Sequence, residues 1–161
     1  MNPVCLALAI ISVLMAGCAT PSKKTTEYEP TLPDYVNVDG SIRHEVRDER
    51  VASLWQATAT ESGNGQYENA IKYLNQALDH APRDPVLWSR GAELYLTVGE
   101  HGQAENYAAK SNFFASADSR ALRYRNWLII RHARELRGDL LGVRNAQQMV
   151  LKFQSPSQAP E

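Results

Sequence analysis

Apolar residues recur three and four positions apart over most of residues 51–153, and no stretch alternates polar and apolar residues as a β-strand does. The clearest stripe is formed by Ala70, Ile71, Leu74, Ala77, Leu78 and Ala81. At this spacing the side chains share one face of an amphipathic helix. The pattern predicts an all-α fold.

The helical segments repeat along the chain. A shift of 34 residues superposes Gly65 on Gly99 and Ala70 on Ala104. Glycine permits the turn from one helix into the next, and alanine lets two helix axes approach closely. We therefore expect helical hairpins that stack at this period, the first of them beginning with a helix at about residues 47–62.

A third unit follows at a wider spacing. Gly138 lies 39 residues after Gly99, with a helix predicted before it from Ser119 to about Arg137 and another after it at residues 139–153. About three stacked hairpins suffice to bury a shared core. The sequence thus predicts a short α-solenoid of about three hairpins over residues 46–153.

The middle of the chain resembles the tetratricopeptide-repeat family. Trp88 and Tyr95 match the Trp and Tyr of its first-helix pattern, W-x₂-L-G-x₂-Y. Gly91 and Ala92 stand where that pattern has Leu and Gly. Residues 65–82 follow the second-helix pattern closely. The resemblance implies tetratricopeptide-like hairpins whose first helices line a concave groove that receives a peptide or a partner helix, and an ordinary helical bundle is the alternative.

The resemblance also assigns a partner-binding surface. The residues implied to face the groove are Ser89, Glu93, Leu96, Thr97 and Trp127, with Trp55, Tyr124 and Arg131 as neighbours. Aromatic residues and arginine are frequent anchors of protein interfaces. The alternative is that the tryptophans fill the core between repeats, and for Trp88 this core interpretation is favoured.

Charge is unevenly distributed along the chain. Residues 19–100 carry 8 basic and 13 acidic side chains, whereas residues 101–161 carry 9 and 5. Most of the basic excess lies on one predicted helix, at Arg120, Arg123, Arg125, Arg131, Arg134 and Arg137. Guanidinium groups suit carboxylate and phosphate oxygens. These arginines form either a basic face for an acidic partner, peptidoglycan or lipid phosphates, or a helix that pairs with the acidic neighbouring repeat.

The N-terminal segment differs from the repeats. Residues 1–20 contain no charged side chain, and the apolar run at residues 4–15 is shorter than the roughly 20 residues of a membrane-spanning helix. Residues 14–18, Leu-Met-Ala-Gly-Cys, resemble the lipobox of bacterial lipoproteins. The resemblance implies that residues 1–17 are a signal peptide and that Cys18 carries fatty acyl chains such as palmitate. An ordinary signal peptide or an uncleaved anchor is the alternative.

The residues that follow Cys18 predict where the protein resides. Ala19 stands where lipoproteins retained at the inner membrane have Asp, so the resemblance implies an anchor at the periplasmic face of the outer membrane. Residues 18–45 begin with the N-terminus that the resemblance implies is lipidated, and their content of proline and polar residues predicts a flexible linker. Residues 154–161 are predicted to be a disordered tail.

The sequence shows no pattern of catalytic or metal-binding residues. Its four histidines are scattered, and neither an HExxH motif nor a phosphate-binding glycine loop occurs. A net charge of −1 argues against a dedicated nucleic-acid-binding domain, which is usually strongly basic. We therefore predict no enzyme, no metal and no nucleic-acid partner, and no cofactor apart from the covalent lipid on Cys18.

Three functions remain as hypotheses. The first is a non-enzymatic outer-membrane lipoprotein that serves as an adaptor or scaffold for envelope proteins. It is similar in layout to small repeat lipoproteins that assist pilus assembly or recruit peptidoglycan enzymes. The second is direct binding of peptidoglycan or lipid headgroups by the arginine-rich helix. A cryptic hydrolase ranks last.

Overall fold

The computed structural model describes residues 44 and 46–154, which form six α-helices and no β-strand. The helices are α1 (Glu49–Gly63), α2 (Tyr67–His80), α3 (Pro85–Thr97), α4 (His101–Phe114), α5 (Arg120–Leu136) and α6 (Leu140–Phe153). None of these six helices is long and apolar enough to cross a bilayer. The predicted signal peptide, Cys18, nearly all of the predicted linker and the predicted tail after Gln154 lie outside the described residues.

Local sequence signals set the helix ends. Asp48 and Asp84 precede α1 and α3, and each carboxylate accepts hydrogen bonds from two backbone amides of the first turn. These bonds satisfy amide groups that have no partner within the helix. Gly65, Gly99 and Gly138 turn the three hairpins with φ angles of 74°, 82° and 74°. Other residues rarely adopt such angles, which explains the spacing of the glycines.

The three hairpins stack in chain order. Within the hairpins, α1 packs against α2, α3 against α4 and α5 against α6. Between them, α2 contacts α3 and α4 contacts α5. Helix α3 also contacts α5, so the first helices of the second and third hairpins are neighbours. The predicted all-α solenoid of three hairpins is confirmed.

Two apolar clusters form the core. The first contains Leu74, Leu87 and Leu94, and the second contains Ile130 together with several alanines. Tyr107 of α4 packs against both clusters and so connects them. Burial of each large aliphatic side chain stabilises the fold by about 1.5–3 kcal/mol, so the core supplies most of the driving force for stacking.

Gly91 explains a departure from the repeat pattern. The ring of Tyr107 lies over Gly91, and a Cβ atom at this position would lie 2.8 Å from Tyr107 Cε1 and 2.9 Å from Leu74 Cδ2. Close-packed interiors do not accommodate contacts this short. The tyrosine of α4 therefore fills the space that a leucine of α3 would occupy.

His44, which lies inside the predicted linker, packs against the helices. Its Nε2 lies 2.8 Å from Oδ2 of Asp84, and its ring meets that of Trp55 edge-on with the centroids 5.1 Å apart. Val46 packs against the first core cluster. The composition of the linker does not predict these contacts, because the partners of His44 come from α1 and from the residue that caps α3.

Candidate protein-interaction face

Polar side chains join the first helices of the three hairpins. Arg90 of α3 donates hydrogen bonds to the Ser62 hydroxyl of α1 at 3.0 Å and to Glu93 at 2.6 Å. Arg125 of α5 pairs with the same oxygen of Glu93 at 2.7 Å. We call these four residues the arginine–glutamate cluster, and the side on which α1, α3 and α5 meet the first-helix face. The cluster ties all three hairpins together.

The cluster combines burial with unbalanced charge. Arg90 is 7% exposed and Arg125 is 4% exposed, whereas the side chain of Glu93 is 31% exposed. Two guanidinium groups share one carboxylate, which leaves one positive charge uncompensated within the cluster. The buried Nε of Arg125 makes no hydrogen bond. An uncompensated positive charge beneath a partly exposed carboxylate favours negatively charged groups at the surface nearby.

The five residues predicted to face the groove lie at different depths. Glu93 belongs to the cluster, and Thr97 is exposed one turn further along α3, where its hydroxyl donates to the Glu93 carbonyl at 3.0 Å. Leu96 and Trp127 are half-buried and pack against the second core cluster. Ser89 is fully buried. The prediction that Ser89 contacts a partner is therefore wrong.

Ser89 belongs instead to a buried network centred on Asn126. Its hydroxyl donates to Asn126 Oδ1 at 2.7 Å. The amide nitrogen of Asn126 donates to Ser111 Oγ at 2.7 Å and to Asn112 Oδ1 at 2.9 Å. Ser111 in turn donates to the Pro85 carbonyl at 2.6 Å. Sequence reasoning missed Asn126, although a lone amide among the apolar residues of α5 was the available signal.

The residues predicted as neighbours of the groove contact the interior of the stack. Tyr124 is 1% exposed, so the structure places it in the interior and not at the surface of the groove. Arg131 donates to the side chain of Gln147 on α6 at 2.7 Å. Trp55 and Trp88 pack against the first core cluster, which is the core interpretation of these tryptophans.

Most arginines of α5 bind neighbouring helices. Arg134 and Arg137 both pair with Glu105 of α4. Arg123 donates to two backbone carbonyls at the C-terminal end of α4. Arg120 donates to two carbonyls at the end of α6. Cations at helix C-termini also oppose the negative end of the helix dipole, so these contacts stabilise the stack.

The prediction of a basic face is wrong for Arg125, because this side chain is buried in the cluster. Its pairing with Glu93 and the pairing of Arg134 with Glu105 fit the alternative, in which the arginines neutralise the preceding repeat. Arg131 and Arg134 are half-buried and engaged with α6 and α4. The exposed basic surface of α5 is therefore smaller than the sequence indicates.

Titratable groups with shifted pKa values lie at structural contacts. Burial opposes ionisation of Asp84, but the contact with His44, the charge of His44 and the backbone amides of the α3 cap outweigh it and hold the pKa below its ordinary value. Burial and the neighbouring Tyr95 hydroxyl raise the pKa of Tyr107. Across residues 44 and 46–154, no three His, Cys, Asp or Glu side chains lie close enough to hold a metal ion.

Comparisons with known proteins agree on the architecture. The family model described as tetratricopeptide repeat matches residues 63–123. The globular C-terminal domain of LpoP from P. aeruginosa is similar in structure, with a TM-score of 0.61 and 30% identity, covering 66% of this chain and 99% of that domain. No curated protein sequence matches the chain.

Two tetratricopeptide domains of Spaghetti (RPAP3) bound to the HSP90 peptide SRMEEVD are also similar, each with a TM-score of 0.58 and 18% identity. The matches cover 66% and 68% of this chain, and 94% and 85% of the two domains. At this identity the likeness concerns the fold alone.

Proposed function

Because the chain belongs to the tetratricopeptide-repeat family, we propose that it is a non-enzymatic adaptor that binds another envelope protein on its first-helix face. The arginine–glutamate cluster carries this proposal. It places two nine-tenths buried arginines and one half-exposed carboxylate where the first helices of the three hairpins meet. Tetratricopeptide domains bind peptide or protein partners, so a polar cluster on this face is suited to recognising such a partner.

The chemistry of the cluster favours an acidic segment. Arg90 and Arg125 are held in place by Ser62 and Glu93, so they lose little side-chain entropy when a partner arrives. The uncompensated positive charge of the cluster attracts a carboxylate to the surface beside the partly exposed Glu93. Thr97 lies exposed beside the cluster at the rim.

Co-purification of the full-length tagged protein from detergent-solubilised envelopes tests this face. Thr97→Glu places a negative charge beside the cluster, and we expect it to reduce the yield of a stoichiometric partner. Thr97→Lys should preserve or increase that yield. Gln76→Glu, an equally exposed change on α2, serves as the matched control. Equal yields from Thr97→Glu and Gln76→Glu would place the partner elsewhere.

A lipid anchor at the outer membrane is the second part of the proposal. The lipobox-like segment ending at Cys18 supports it. Replacing Cys18 by Ser should move the protein from the membrane fraction to the soluble fraction after cell breakage. Retention of Cys18→Ser in the outer-membrane fraction would contradict acylation of this residue.

Direct binding of peptidoglycan or lipid headgroups by α5 has weaker support, because its arginines are engaged with α3, α4 and α6. Arg120 and Arg137 remain partly accessible. Sedimentation with purified sacculi tests this alternative. Retention of the wild-type protein that is lost in the double variant Arg120→Glu, Arg137→Glu would favour it over the adaptor.

A further inference from the structure

Helix α6, the last described helix, exposes a row of leucines. Leu140, Leu141 and Leu151 are 72%, 66% and 59% exposed. Arg144 and Gln148 lie between them on the same side of the helix, as their spacing requires. We call these five residues the outer face of α6. An apolar row around a cation is an unusual surface for a helix that faces only water.

Helix α4 shows how the stack uses the matching face. Gly99 and Gly138 turn the second and third hairpins, and α4 and α6 each begin two residues later and span 14 residues. A shift of 39 residues therefore superposes the two helices. In α4 two positions of this face contact α5, since Glu105 pairs with Arg134 and Asn112 accepts a hydrogen bond from α5.

The same positions on α6 carry different chemistry. Arg144 takes the place of Glu105, and Leu151 takes the place of Asn112. No helix among the described residues covers them. Within that same part of the chain, the guanidinium of Arg144 makes a single long hydrogen bond, of 3.4 Å, to the Leu140 carbonyl of its own helix. The carboxylate that holds the next helix on α4 is thus replaced on α6 by a cation between leucines.

We propose that the outer face of α6 binds an acidic amphipathic helix of a second protein, in the place that a seventh helix of the stack would take. Apolar side chains of that helix pack on Leu141 and Leu151, and a carboxylate pairs with Arg144. Helix α6 contains Arg144 and Lys152 but no acidic residue, so charge complementarity selects an acidic partner. This surface is separate from the first-helix face, because it lies on the second helix of the last hairpin.

A second copy of this chain fits the outer face less well. Its α1 is the helix that would continue the stack, and a shift of 73 residues places Glu61 at the position of Arg134, opposite Arg144. The exposed α1 residues on that side include Arg50, Ser53 and Thr60. These polar side chains leave the leucines without apolar contacts, so the partner is a different protein.

Binding of designed helical peptides to the full-length protein in neutral detergent tests the proposal. The probe is a 14-residue peptide, matching α6 in length, with leucines and glutamates on one face. It is stapled, because a free helix of this length is marginal in water. A second peptide carries lysine in place of each glutamate. Fluorescence anisotropy then reports the affinity for each peptide.

We expect the wild-type protein to bind the glutamate peptide and Arg144→Glu to bind it at least about tenfold more weakly, with a reversed preference for the lysine peptide. Lys72→Glu, an exposed charge reversal on α2, is the matched control and should change nothing. Leu141→Ser with Leu151→Ser should also abolish binding, whereas Phe113→Ser, at a residue 81% exposed on α4, should not.

Three results would overturn the proposal. The first is failure of the wild-type protein to bind the glutamate peptide, or equal binding by Arg144→Glu. The second is a concentration-dependent oligomer, detected by light scattering, that Leu141→Ser dissolves, which would assign the face to a second copy. The third is protection of α6 amides from hydrogen exchange by phosphatidylglycerol vesicles, lost in Arg144→Glu, which would assign it to a lipid surface.

Discussion

Arg134 of α5 donates two hydrogen bonds, from Nε at 2.8 Å and from Nη2 at 2.6 Å, to one carboxylate oxygen of Glu105 on α4. Arg137 pairs with the other oxygen. The side chain of Glu105 is 19% exposed, so the group is partly shielded from water. This carboxylate is therefore one of the polar links between the second and third hairpins, beside Asn126 and the pair of Arg125 with Glu93.

Replacing Glu105 by Gln should lower the free energy of unfolding by about 1–2 kcal/mol, since charge-assisted bonds to two arginines are lost at a partly exposed site. Urea unfolding followed by circular dichroism measures the change. Glu100→Gln is the matched control, because Glu100 is exposed and no ion pair involves it among the described residues. Equal effects of the two substitutions would show that this link contributes nothing.

The sequence predicted the helices and turns better than the contacts of charged groups. Glycines at positions 65, 99 and 138 act locally, so their effect can be predicted from the residues themselves. Whether an arginine of α5 faces water or a carboxylate depends on how the hairpins stack. That arrangement is a property of the tertiary structure, and the sequence left both interpretations open.

Gly91→Ala should destabilise the protein by about 1–3 kcal/mol, because the added methyl group forces the Tyr107 ring out of its packed position. Thermal unfolding measures the loss, and a change in tyrosine near-ultraviolet circular dichroism should accompany it. Gly102→Ala provides the contrast. A Cβ there has Arg137 Nη1 as its nearest neighbour, at 3.9 Å, so this change should stabilise α4 by roughly 0.5 kcal/mol.

Asn126→Ala should cost about 2 kcal/mol or more, because it removes the partner of the buried Ser89 hydroxyl and leaves a cavity. Asn106→Ala, on the exposed side of α4, should fall within about 0.5 kcal/mol of the wild type. Combining Ser89→Ala with Asn126→Ala should cost less than the sum of the single changes. Strict additivity in chemical denaturation would mean that the two side chains act independently.

The contact between Asp84 and His44 should give the protein an acid-sensitive contribution to stability. The pKa of Asp84 is lowered from the ordinary value of 3.8, so its ionised form stabilises the fold above that pH. This contribution is lost as the pH falls through the lower folded-state value. Asp84→Asn keeps a good N-cap but removes the charge.

Chemical denaturation at a series of pH values checks this prediction. The difference in unfolding free energy between wild type and Asp84→Asn should shrink as the pH falls below about 4. Asp79→Asn, on an exposed residue of α2, controls for the general loss of a negative charge. A difference that grows as the pH falls would contradict the lowered pKa.

The candidate site was predictable only in part. The repeat pattern placed Glu93 and Thr97 on the first helices, where the structure has them accessible. It also placed Ser89 in the groove, but Asn126 draws that hydroxyl into the interior. The pattern describes an average repeat, whereas the depth of one side chain depends on the particular neighbours that the adjacent hairpin brings.

A single amide that must satisfy Ser89 on α3 and Ser111 on α4 leaves the second and third hairpins little freedom to rotate against each other. In repeat arrays whose adjacent hairpins are held together by apolar contacts alone, the hairpins can bend relative to one another at each junction. At Asn126, hydrogen bonds that cross the junction add to the apolar contacts. For a partner that binds across α3 and α5, folding has already fixed the curvature of the binding surface. The entropic cost of ordering that surface therefore falls on folding and not on binding.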